Sequence, residues 1–264
     1  MKTTTPLALL ASLLLGTAAN AQAPAPPPGS GPPAPPATVA AAKDPEALAL
    51  VKRMSDRLKA ARTFTVKGWA SLEEPVAGGL LATFYNDFEM SVRRPDGLAA
   101  RRSGDRPEFR FAYDGKAMTV LVPVKKTWAT TGAPATLDAM LVAAGEEGDL
   151  NMPFDELLVA DPWAAITAGL TDAVRAGPAT VRGKKVEHVV LSSAALRIEY
   201  WIDPGTALPA RALVVYLDHP LQPHFLVEFS DWKLDQKLPD STFTLPRPAG
   251  ATQVDFREAA SAFR

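Results

Sequence analysis

The residues best suited to proton transfer or metal binding near neutral pH are three histidines, His188, His219 and His224. None stands in a His-Glu-x-x-His spacing, which would put two imidazoles and a general base on one helical face. His219-Pro220-Leu221-Gln222-Pro223-His224 reads as a turn between strands. There is no Gly-x-Ser-x-Gly elbow to expose a serine, and no Gly-Lys-Ser/Thr loop to cradle phosphate. Asp203 and Asp218 flank strand ends, where carboxylates serve turns. Without cysteine the chain has neither a thiol nucleophile nor a thiolate ligand. The expectation is binding rather than catalysis, with no metal and no cofactor.

What the sequence does supply is large, soft apolar side chains. Phe84, Phe88, Met90, Phe109, Phe111, Met118 and Trp128 fall in strand-like stretches. Met140, Leu141, Leu157 and Trp163 fall where the spacing is helical. A hydrocarbon pocket needs a broad apolar wall with few polar anchors, and methionine adapts to chains of different shape. Together these residues are the expected ligand-binding set. Arg93-Arg94, Arg101-Arg102, Arg106 and Arg110 gather round two turns, where charge protects exposed strand ends.

Positioning such a wall requires a sheet. Leu196, Ile198, Tyr200 and Ile202 alternate with Arg197, Glu199 and Trp201, the period of a strand with one buried face. Asp203-Pro204-Gly205 turns the chain, and Arg211 to Leu217 is nearly continuously apolar, as in a mid-sheet strand. Upstream, Asp44 caps a helix whose first turn holds Pro45, with Leu48, Val51, Met54, Leu58 and Ala61 on one stripe. Strands follow over 63–72, 82–92, 98–102, 108–113 and 118–122, and Trp128 marks a sixth. Arg94-Pro95-Asp96-Gly97 and Asp114-Gly115 are the turns among them.

Helical spacing then takes over at Leu137, Met140, Leu141 and Ala144. It continues from Pro153 through Leu157, Leu158 and Val159, and again at Trp163, Ile166 and Leu170. Strands resume over 173–177, 180–192 (turning at Arg182-Gly183), the hairpin and 224–232. The tail reads as an edge strand closed by Val254 and Phe256. The expected fold is α+β, mainly β. It is a strongly curved antiparallel half-barrel of about 11 strands, its concave face lidded by the N-terminal helix and the helical insertion.

Residues 1–21 read as a secretory signal peptide: Lys2, an apolar run from Pro6 to Gly16, then Ala19-Asn20-Ala21. That run is shorter than the ~20 residues a membrane span needs, so a periplasmic rather than integral membrane protein is expected. There is no cysteine near the cleavage site to carry a lipid. Residues 22–43 are an Ala/Pro-rich linker, expected to be extended or disordered, which leaves 44–264 as the folded domain. Lys and Arg number 28 against 29 Asp and Glu, so no net field draws nucleic acid.

Several short stretches carry a family resemblance. They are Asp44-Pro45-Glu46-Ala47-Leu48, Val92-Arg93-Arg94-Pro95-Asp96, Tyr113-Asp114-Gly115-Lys116, Trp201-Ile202-Asp203, Leu208-Pro209-Ala210-Arg211 and Asp231-Trp232. Pro239-Asp240-Ser241-Thr242-Phe243 and Pro248-Ala249-Gly250-Ala251 complete the set. In this order they resemble a family of predicted bacterial periplasmic proteins, itself similar to outer-membrane lipoprotein carriers of the LolA/LolB type. The resemblance implies a half-barrel whose concave face holds an acyl chain or another lipid-like hydrophobic ligand. Within that superfamily it also admits a second function, an envelope protein-interaction or stress-sensing module that docks a membrane-associated partner. The long Pro-rich leader is a departure from the carriers.

Overall fold

A computed structural model describes residues 43–150, 152 and 154–263; the expected signal peptide and all of the Ala/Pro-rich linker except Lys43 lie outside them. The chain runs α1 (Pro45–Ala60), β1 (Thr63–Val76), β2 (Leu80–Arg93), β3 (Gly97–Gly104), β4 (Phe109–Tyr113), β5 (Ala117–Val122) and β6 (Thr127–Gly132). After α2 (Leu137–Gly148) and α3 (Pro162–Thr167) come β7 (Asp172–Val181), β8 (Lys184–Ser192), β9 (Leu196–Ile202), β10 (Pro209–Tyr216) and β11 (His224–Leu234). The last two elements are β12 (Thr252–Gln253) and α4 (Phe256–Ala260).

The strands form one curved, open sheet in the order β12-β6-β5-β4-β3-β2-β1-β11-β10-β9-β8-β7. Every pairing is antiparallel except that of β12 with β6. The fold is thus the mainly β half-barrel that the alternation predicts. Two consecutive meanders meet where β1 pairs with β11, a junction that no local signal in the sequence announces.

Register decides which side chains share the concave face. Val66, Met90, Ala100, Phe111, Val120 and Ala129 stand opposite one another from β1 through β6. On the other side, Ala70, Val227, Ala212, Tyr200 and Val189 continue the row from β1 to β8. Two core clusters grow on this face. One joins β3–β6 to α2 and α4 around Met118, Met140 and Phe111; the other joins β8–β11 to α1 around Met54, Leu58 and Tyr200.

The helices are locally specified. Asp44 accepts a hydrogen bond from the Glu46 amide at 2.8 Å, Pro45 occupies the first turn, and Arg57 and Lys59 lie in the last. Ala47, Leu50, Val51, Met54 and Leu58 form the buried stripe. Thr136 caps α2 through the Ala139 amide, and Asp161 caps α3 through that of Ala164.

Two expectations need correction. The stretch predicted as a helix through Leu157–Val159 is only a 3-10 turn, Asp155–Leu157, because Phe154 takes a left-handed φ of 63° that stops α-helical propagation; Pro153 itself lies outside the described residues. The tail is an edge strand of just Thr252–Gln253, and Phe256 opens α4 instead of closing the strand. Asp255 caps that helix through the Arg257 amide, and Phe256, Ala259 and Ala260 pack into the first core.

Candidate functional site

Between the two cores the concave face is not filled. Gly68 lies directly opposite Phe88 on one side and Phe229 on the other, and the two rings meet edge to face at 6.1 Å across it. A Cβ at Gly68 would stand 2.0 Å from the Glu228 carbonyl and 2.8 Å from the Phe88 ring, so only glycine lets the strands and rings come this close. In front of these rings is a cavity of about 160 Å³. Phe64, Val66, Met90, Phe109 and Phe111 wall it from β1, β2 and β4, and Phe225, Val227 and Trp232 wall it from β11. Phe88, Phe229 and Trp232 pack against both cores yet stay partly accessible, because the space before them is open.

The roof comes from described residues between α2 and α3. Met152, Phe154, Leu157 and Leu158 point into the cavity from it. The Phe154 ring lies 5.6 Å from Phe225 and 6.3 Å from Tyr200. Arg94, just past β2, holds this segment from behind: its guanidinium donates to the carbonyl oxygens of Leu157, Leu158 and Val159. Asp138 accepts from the Ala160 amide at 3.0 Å. Burial lowers the Arg94 pKa, with the Asp138 charge opposing, and a guanidinium titrates too high to lose its proton at any working pH. On the opposite flank the Tyr200 hydroxyl donates to the Glu156 carboxylate.

The polar content of the lining is small. Asn86 is turned to the Arg106 amide, and Arg102 donates to the Ala262 carbonyl at 3.0 Å. Burial, with Arg106 nearby, pushes the Arg102 guanidinium down to about 10, still charged at neutral pH. An aromatic cavity with one buried cation at its margin can hold hydrocarbon; it offers no nucleophile.

The expected ligand set divides. Phe88, Met90, Phe109, Phe111 and Leu157 line the cavity. Met118 of β5 and Met140 and Leu141 of α2 instead pack into the first core, together with Phe256, Ala259 and Ala260 of α4. Trp128 pairs with Leu121, which pairs with Arg110; this row lies on the convex side, where the Trp128 indole donates to the Leu245 carbonyl at 2.9 Å. Phe84 has the concave parity but lies near the end of the β1–β2 ribbon, under the Arg106 guanidinium at 3.8 Å. Trp163 packs from α3 against the second core. The β11 aromatics escaped sequence reading because their partner strand, β1, is 160 residues away in the chain; the alternation of Phe225, Val227 and Phe229 was their one local signal.

The histidines are apart and otherwise engaged. His188 stacks on Trp201 at 4.2 Å and meets Glu199 at 2.9 Å, His219 accepts from the Leu221 amide, and His224 lies 3.8 Å from Glu73. Among the described residues no group of three or more His, Cys, Asp or Glu side chains is placed to hold a metal. The convex face has its own polar hub. Glu228, 6% exposed, accepts from Arg211, Arg182 and the Trp69 indole. Burial pushes its carboxyl up, but the two guanidinium partners outweigh that and hold it below the usual carboxylate range.

The family model for predicted periplasmic proteins designated DUF2092 matches residues 47–257, and the chain belongs to that family of the periplasm. No curated protein matches the sequence. Among solved structures, the lipoprotein LppX of Mycobacterium tuberculosis is similar at 15% identity and a TM-score of 0.44, over 72% of this chain and 96% of that one. A LolA superfamily protein of Nitrosomonas europaea gives 10% identity and 0.33, over 75% and 97%. The MucA/MucB complex of Pseudomonas aeruginosa gives 14% and 0.40 over 76% of this chain, which spans 61% of the chain it matches there. No helix among the described residues is long and apolar enough to cross a membrane.

Proposed function

We propose that this protein is a non-catalytic periplasmic carrier that holds a lipid, a lipoprotein acyl chain or another hydrocarbon in the concave cavity. One observation carries the reading: aromatic side chains of β1, β2, β4 and β11 surround a space that the two flanking cores leave empty. Evolution fills ordinary cores to crystal-like density, so an unfilled aromatic space in the middle of a sheet is a site rather than slack. Its size, about 160 Å³, matches apolar cavities that stay dry and accept a benzene-sized guest. Each methylene buried there contributes about 0.8 kcal/mol. A full acyl chain is larger, so its uptake requires roof residues 154–158 to swing outward.

The test is native mass spectrometry of the mature protein from its own periplasm, followed by organic extraction. Co-purified acyl lipid or lipopeptide is the expected result. A clean apo mass, with no uptake of phospholipid or long-chain alcohol, overturns the reading. A second reading, a module that docks a membrane-associated envelope protein, draws on the β1–β2 ribbon. Beyond Leu72 and Asn86 this ribbon has no neighbouring strand on either side and exposes Val76, Leu80 and Tyr85. Capture of one defined partner by the parent protein, lost on Leu80→Asp with the fold intact, would select it.

A further inference from the structure

The roof of the cavity carries a carboxyl group whose surroundings supply no counter-charge. Glu156 sits in the Asp155–Leu157 turn, next to Leu157, which lines the cavity. Its carboxylate meets the hydroxyl of Tyr200, a side chain wholly buried in the second core. The outer side of the same turn, with Asp155 and Glu156, borders a second cavity of about 270 Å³ walled by Ile166, Leu170, Leu191, Leu196 and Ile198.

The charged and titratable groups on the surrounding elements do not neutralise it. Asp155 is its neighbour and adds like charge, and Tyr200 and Tyr216 are neutral. Arg94 spends its donors on the carbonyls of Leu157, Leu158 and Val159, and Asp138 takes the Ala160 amide. Asp161 is paired with Lys59, and Arg197 with Glu199. Among the described residues no ion pair includes Glu156 or Asp155.

We propose that Glu156 is a proton-operated latch: as the neutral acid it keeps the Asp155–Leu157 turn shut over the cavity, and on ionisation it releases the turn to load or discharge an apolar ligand. The inference rests on the reading of the cavity as a ligand site. A neutral carboxyl still bonds Tyr200; the carboxylate accepts from Tyr200 too, but that one bond does not offset its lost hydration and the like charge of Asp155. Leaving that contact draws Phe154 off Tyr200 and Phe225 and lifts Leu157 from the cavity, so one proton controls the roof.

The direction is fixed by linkage. Burial pushes the Glu156 carboxyl up to about 7, the Tyr200 hydrogen bond opposing and the Asp155 charge adding. In the open turn the group returns toward its ordinary 4.5. The closed state is therefore fully favoured below that value and loses its advantage as pH rises through about 7. Between pH 6 and pH 8 the ratio of closed to open falls about tenfold.

The probe is N-phenyl-1-naphthylamine, uncharged over this range and too large for the closed cavity, so that its entry requires an open roof. Stopped-flow fluorescence of the full mature chain is expected to show association about tenfold faster at pH 8 than at pH 6. In Glu156→Gln the rate should not depend on pH. Hydrogen exchange of the Leu157 and Leu158 amides, corrected for intrinsic rates, gives a readout that needs no ligand: opening should rise with pH in the parent and stay flat in Glu156→Gln. Tyr200→Phe, which loses the hydroxyl alone, should open more at every pH. If the exchange is flat with pH in the parent, or still pH-dependent in Glu156→Gln, the latch is overturned. If exchange behaves as expected but the naphthylamine binds at no pH, the latch stands and the carrier reading fails.

Discussion

Replacing Phe88 with alanine tests whether the central space is a site. The ring lies between the two cores, edge to face with Phe229 and above Gly68, with one side open to the cavity. Fully buried Phe→Ala changes cost 3–5 kcal/mol; since Phe88 already borders empty space, about 3 kcal/mol is expected. For a domain of this size that is a fall of roughly 6–12 °C in Tm.

The informative part is what ligands then do. With the roof shut, as at pH 6, the parent cavity of about 160 Å³ takes a six-carbon guest, so affinity for a series of linear alcohols should rise about fourfold per methylene and level off near hexanol. Deleting a phenyl ring adds the volume of about one more such guest, which moves the plateau toward twelve carbons. Thermal unfolding with each alcohol at fixed excess reads both effects, because a ligand that binds only the folded state raises Tm. Dodecanol should restore most of the lost stability in Phe88→Ala and add little beyond hexanol in the parent. An identical chain-length profile in both proteins, or no stabilisation of either, refutes the reasoning.

Three further changes have defined outcomes. Gly68→Ala places a methyl group against the Glu228 carbonyl and should cost at least ~2 kcal/mol, seen as a lower urea midpoint. Arg94→Met removes the donors that hold three roof carbonyls, each such bond worth about 1.5–3 kcal/mol, and should speed exchange of the Leu157 and Leu158 amides more than tenfold while the amides of β1 and β11 keep their protection. Glu228→Ala leaves the Arg211 guanidinium and the Trp69 indole without their acceptor and should cost about 3 kcal/mol; the loss of Arg182, which is mostly exposed, adds little. Because the folded Glu228 carboxyl is held below its ordinary value, its contribution is present above that value and is lost as pH falls through the lowered one. The parent should weaken in acid more steeply than Glu228→Gln.

How much of this was legible in the sequence follows the range of the interactions concerned. Local pattern locates about 11 strands, and where it alternates, as at Phe88, Met90 and Val92 or Tyr200 and Ile202, parity picks the core face. Caps at Asp44, Thr136 and Asp161 are likewise written within a few residues of the helices they start. Trp128 looks like a pocket residue by type, but its row, with Leu121 and Arg110, is convex. Met118 and Met140 look like pocket residues by type. They became core because α4, read as a strand from Val254 and Phe256, folds back over them. The half of the cavity wall on β11 depends on the pairing of β1 with β11, a contact between the ends of the folded segment that no local pattern encodes.

An open sheet has a further consequence at its ends. Each terminal strand presents unpaired amides and carbonyls on which another chain could build, the usual start of aggregation. Here both rims are blunted. On β7, Asp44 reaches over to bond the Ala173 carbonyl through its amide and the Arg175 amide through its carboxylate, and Lys43 bridges Ala173. Past that point the ladder slips between Arg175 and Gly177, and Pro178 has no amide to offer a visitor. At the other rim β12 is two residues long and runs straight into α4. Apart from the projecting β1–β2 ribbon, the sheet thus ends on short or interrupted strands, and the same helix-capping aspartate that starts α1 also guards the β7 rim.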